Sequence, residues 1–140
     1  MLHEGHRTEY HWAAFLLRLG LGLLLLIAGV NKFAGGIGPF VGFIEQMFGE
    51  TWLPAIFWRP FAWAIPFIEV VLGLLLIVGV MRFWVILLSS LFMLALAVGT
   101  MIAGENETVA RNFVYFALFL ANFLTAPWDC FSFDTLARGR

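Results

Sequence analysis

The sequence predicts an all-α membrane protein: a four-transmembrane-helix bundle with a short interfacial helix between helices 1 and 2. Composition gives the first argument. Hydrophobic residues make up 62% of the 140 and charged residues only 12%, against roughly 25% charged in soluble domains. A water-soluble chain of this length could not bury so much apolar surface, so lipid is the solvent. The second argument is four apolar runs near the ~20 residues that cross a bilayer, at about 12–30, 60–80, 83–103 and 109–126. The third is a stretch at about 39–49 that is amphipathic and too short to span. These elements form a single membrane domain over residues 1–140.

The first ten residues are polar, and His3, His6 and His11 fall in or beside them. Metal sites need three or four oriented ligands, so no metal is expected here. The first apolar run follows a weakly basic start and has no small-x-small cleavage pattern, which reads as a retained helix. Arg18, Gly22, Leu25, Gly29 and Lys32 share one stripe of it. Glycines on such a stripe let another backbone approach, and its charged ends should face protein.

Gly35–Pro39, GGIGP, breaks this helix. Phe40, Phe43, Ile44, Met47 and Phe48 then recur at helical spacing, with Glu45 and Gln46 opposite. The plain reading is a helix lying flat on the membrane surface; the sharper one is a lid over a lateral entrance for a lipid-like ligand. Trp52, Trp58 and Trp63 cluster nearby, as aromatics do at headgroup depth.

In the second span Pro66, Glu69 and Gly73 share a face. Pro66 frees a carbonyl one turn earlier, which neighbouring groups must satisfy. Arg82 makes a tight turn into the third span, where Ser89, Met93, Leu96 and Thr100 align. GENET, 104–108, is a short loop. In the fourth span Asn112, Tyr115, Phe119 and Asn122 align, and Pro127 ends the helix. The tail, WDCFSFDTLARGR, is polar and partly aromatic.

Four spans place both termini on one side. Trp12, Trp84 and Trp128 would mark that face, and the other three tryptophans the opposite one. Arg7, Arg82, Arg138 and Arg140 lie on the terminal side, and Lys32, Arg59 and Arg111 on the loop side. The positive-inside rule then favours cytoplasmic termini.

A carboxylate near the bilayer midplane costs roughly 2.5–3.5 kcal/mol on insertion scales. Glu69 therefore needs a partner, a proton or a task. Counting about 1.5 Å per residue places Arg18, Ser89 and Asn122 in one polar layer and Glu69 and Tyr115 in the next. The spacing predicts an ion pair between Arg18 and Glu69. One reading is that these groups fix helix register. The other is a pocket for a ligand with a polar head and an apolar tail, such as a quinone. Glu69 would then exchange a proton, with Arg18 as counter-ion and Tyr115, Asn122, Asn112, Lys32 and Ser89 as contacts.

No histidine lies inside a span, so this chain alone cannot hold a bis-histidine haem. Cys130 is the only cysteine, which leaves no intrachain disulfide or CxxC pair. There is no Gly-rich dinucleotide motif. No intrinsic cofactor is expected; any electrons would travel on a quinone or on a partner's cofactor. Net charge is −1 without a basic block, so nucleic acid is no natural partner.

The chain resembles the DoxX family of small bacterial and archaeal membrane proteins. The stretches that carry this are RLGLGLLLLIAGVNKF (18–33), WLP (52–54), IPFIEVVLGLLLIVGVMR (65–82), the late NxxY (112–115) and SFD (132–134). The resemblance implies a four-helix bundle in a cytoplasmic membrane and an association with redox systems. Relatives look like the DoxD-type subunit of thiosulfate:quinone oxidoreductase or the membrane anchors of oxidative-stress complexes. The matching polar positions are Arg18, Lys32, Glu69 and Asn112. Two functional readings follow: a redox-associated, quinone-interacting membrane protein, and a non-catalytic accessory subunit packed against a larger membrane complex.

Overall fold

The computed structural model describes residues 3–139, with side chains from residue 8 onward. The described chain is helical: α1 (His3–Ala34), α2 (Ile37–Phe48), α3 (Ala55–Val78), α4 (Arg82–Ile102), α5 (Asn106–Thr125) and α6 (Phe133–Arg138), with a 3₁₀ turn at Ala126–Trp128. No strand occurs among the described residues. Four helical stretches are long and apolar enough to cross a membrane, beginning at Thr8, Ala55, Arg82 and Asn106. The fold is the four-span helical bundle that composition and hydropathy predict.

The bundle is two antiparallel pairs laid side by side, α1 on α3 and α4 on α5. Small residues bring the first pair together. A Cβ on Gly73 would lie 2.6 Å from the Leu26 nitrogen and 2.8 Å from the Gly22 carbonyl, so only glycine permits this approach. Gly22 and Gly29 make the same close contact with α3. The stripe from Arg18 to Lys32 thus faces protein along its length. Leu21, Leu25, Leu72, Leu76, Ile86 and Phe119 meet in the core between the pairs.

Helix α1 runs His3–Ala34, past the expected 12–30 at both ends, and two other starts that differ from the hydropathy reading have a local cause. α3 begins at Ala55, before Pro60, because Pro54 supplies the extended N-cap and Pro60 still sits near the exposed first turns. α2 begins at Ile37, inside the expected break. Gly36, at φ 91°, turns the chain, and Pro39 falls in the first turn, where its missing N–H leaves no bond unmade.

Trp58 corrects the aromatic-belt expectation. It is buried and stacks on Phe48 with ring centroids 6.0 Å apart. The other five tryptophans are exposed. The α2 helix folds back onto α3 and covers Trp58, which the period of the sequence could not reveal.

Candidate functional site: an occluded ion pair and an open chamber

Three buried charges, Arg18, Glu69 and Asp129, and the part-exposed Lys32 separate into two sites at opposite ends of the α1–α3 pair. The register explains why Arg18 and Glu69 do not meet. Gly29 touches Pro66 and Val70, and Gly22 touches Gly73 and Ile77. On that antiparallel register Glu69 lies level with Ala28, ten residues from Arg18, or about 15 Å. The predicted Arg18–Glu69 pair is replaced by two others.

Arg18 pairs with Asp129, Nε donating to Oδ2 at 2.5 Å, and both side chains are buried. Its Nη1 donates to the Leu76 carbonyl and to the Ile77 carbonyl at 2.9 Å. Nη2 donates to the Phe131 carbonyl at 3.4 Å. The guanidinium therefore caps the C-terminus of α3, where unpaired carbonyls and the helix dipole favour a cation. Gly79 ends that helix at φ 77°, and a Cβ there would strike Ser132. The tail completes the knot. Asp134 accepts from the Met81 and Arg82 amides at 3.0 and 2.8 Å, capping α4 from a distance. Arg82 Nη1 donates to the Ala126 and Asp129 carbonyls at 2.9 and 2.7 Å. Sequence reasoning missed Asp129. Its one signal was an acid in an aromatic tail next to the membrane face nearest Arg18.

At the other end Lys32 Nζ donates to both carboxylate oxygens of Glu69, at 3.0 and 2.8 Å. Glu69 is buried, whereas the Lys32 side chain keeps 23% of its surface exposed. Lysine reaches down along α1 with its ammonium also 3.5 Å from the Ala28 carbonyl. The pair forms the floor of a chamber of about 660 Å³ between α2, α3, α4 and the start of α5. Phe40, Phe43, Ile44 and Met47 of α2 form one wall, with Trp58 and Phe61 of α3 beside them. Thr100, Thr108, Arg111 and Asn112 add polar groups on the far side. Asn112 Nδ2 donates to Thr100 Oγ1 at 3.4 Å.

The sequence-predicted contacts divide accordingly. Lys32, Glu69 and Asn112 line the chamber; Arg18, Ser89, Tyr115 and Asn122 do not. Ser89 hydroxyl donates to the Val85 carbonyl at 2.7 Å, within its own helix. Tyr115 packs half-buried against the core. Asn122 is buried with its Nδ2 unpaired among the described residues. Arg111, Thr100 and Thr108 are chamber residues that the depth argument passed over, because it ranked polar groups by their distance from the midplane. The side chains of His3 and His6 lie outside the described residues. His11 Nδ1 hydrogen-bonds the Trp128 carbonyl and lies 3.2 Å from Cys130 Sγ, tying α1 to the tail.

Fold and site together define a multi-pass helical membrane protein with one charge pair sealed by protein and another at the floor of an apolar chamber. Residues 10–132 match the family model described as methylamine utilisation protein MauE, a match that takes in all four spans, and the chain belongs to the MauE family. No curated protein and no solved structure matches it. This corrects the resemblance to the DoxX family. The longest stretches that suggested it carry the glycines of the α1–α3 crossing, which close helix packing favours in many small bundles.

Proposed function

We propose that this chain is a redox-associated accessory membrane protein whose chamber holds the head of a quinone. The observation that carries the reading is the Lys32–Glu69 pair at the floor of a mostly apolar chamber of about 660 Å³. That volume is within the ~300–1,000 Å³ usual for ligand pockets, which combine apolar walls with few polar groups. Lys32, Arg111 and Asn112 are donors matched to carbonyl oxygens. Among the described residues Glu69 is the one carboxylate at the chamber, and it is the group that would exchange a proton with the head. The redox association rests on the methylamine utilisation system for which the family is named. Electrons and substrate belong to protein partners in the same membrane.

The place we assign is a bacterial or archaeal cytoplasmic membrane, with both termini in the cytoplasm and the chamber toward the outer face. In a Cys130→Ser background, cysteines at Glu50 and Glu105 should react with an impermeant maleimide in intact cells, and one at Arg138 should not. The ligand is tested by mild-detergent purification and mass spectrometry of bound lipids and co-purifying proteins. Quinone at near-stoichiometric level, lost in Glu69→Gln, supports the reading. Stoichiometric protein partners without quinone would leave a purely structural subunit.

A further inference from the structure

A second cavity of about 570 Å³ lies between α3 and α4, where Ile68, Val71 and Leu72 face Leu88 and Phe92. Leu91 lines both cavities. Phe61 of the chamber and Phe92 of the groove stand with ring centroids 6.2 Å apart at the junction. Among the described residues the groove has no charged or hydrogen-bonding side chain, whereas the polar lining residues of the two cavities all belong to the chamber. Depth runs the same way. Leu88 and Phe92 lie fourteen and ten residues from the loop-side end of α4 at Ile102, so about 15–21 Å below it. That reaches the middle of a hydrocarbon core roughly 30 Å thick.

We propose that this groove is a tail subsite: the chamber takes the polar head and the α3–α4 groove takes one long isoprenoid chain of the same molecule. The proposal rests on the quinone reading of the chamber and adds the class of ligand, a single-tailed one, and the path of its tail. Head near the interface and tail toward the midplane is also the posture that a free amphiphile takes in a bilayer, so entry needs no inversion. The open side of the groove, where Val71, Leu88 and Leu91 are all exposed, is the route of entry from lipid.

The test uses the full-length protein in lipid nanodiscs and two photoreactive quinones, one with a diazirine at the end of a four-unit isoprenoid tail and one tail-less with a diazirine on the ring. Peptide mass spectrometry should place the tail label at residues 67–72 and 88–92 and the ring label at chamber residues. Val71→Trp fills the groove from a lipid-exposed position. It should reduce the tail label there to background and leave ring labelling by the tail-less probe unchanged. Tail label spread over other lipid-facing positions such as Leu124, or unaltered in Val71→Trp, would overturn the groove and leave the chamber standing. Failure of the ring label to reach the chamber would overturn both.

Discussion

The two ends of the α1–α3 pair answer the same physical problem in opposite ways. At the terminal end Arg18 is enclosed: one carboxylate and three carbonyls take its donors, and a folded-back tail closes over them. At the loop end Glu69 has a single cationic partner, and that partner is part-exposed beside a cavity. A charge fully satisfied by its own chain holds helices together. A charge held by one flexible lysine at the floor of a chamber has hydrogen-bonding capacity left for something else. The difference is why the proposed site is placed at the loop end, while the terminal end acts as the lock.

The largest effect should come from the lock. Asp129→Ala strands Arg18 and should cost about 3–5 kcal/mol in thermal or denaturant unfolding in detergent. Arg18→Met with Asp129→Leu should recover most of that loss, since an apolar pair of similar volume removes both buried charges. Failure to recover would mean that the caps on α3 carry the stability and the ion pair does not. Gly73 holds both ends in register, and Gly73→Ala should cost about 1–3 kcal/mol as the helices part to admit a methyl group. Smaller still, Glu69→Ala should cost about 1–2 kcal/mol, because Lys32 can turn its ammonium to water while the polar floor loses one partner. A loss equal to that of Asp129→Ala would erase the distinction between the two ends. Smallest of all, Glu45→Lys removes an exposed pair with Arg59, 2.8 Å apart, and should change stability by less than about 0.5 kcal/mol.

The spans were legible because lipid imposes a length and a composition on every helix that crosses it. The glycine stripe of α1 was legible for a related reason: residues at helical spacing share a face whatever they pack against. Pairing across helices was not. Arg18 and Glu69 seemed close because depth was counted from the ends of hydropathy windows. The register is set instead by where Gly73 lets α1 settle, and a slip of a few residues exchanges one ion-pair partner for another. Lys32 was recognisable as a stripe member and as a contact of the pocket, and after Arg18 it and Tyr115 were the next candidates to partner Glu69 by depth and stripe; the structure selects Lys32. Asp129 and Asp134 were hidden by distance in sequence: 111 residues separate Arg18 from its partner. The MauE assignment was hidden as well, because the motifs that stood out were those of helix packing.

The knot at the terminal end sets an order on biogenesis. Every group that Arg18 and Arg82 need, apart from the α3 carbonyls, lies at or after Ala126. The ribosome delivers Arg18 more than a hundred residues before Asp129. Until then the nascent bundle carries a guanidinium without its native carboxylate partner, and a start to α4 without the Asp134 cap. Whatever shields the half-made protein, be it insertion machinery, lipid headgroups or water, must hold Arg18 through the synthesis of all four spans. Release comes with the tail, so a segment made after all four spans is the one that lets α1 settle.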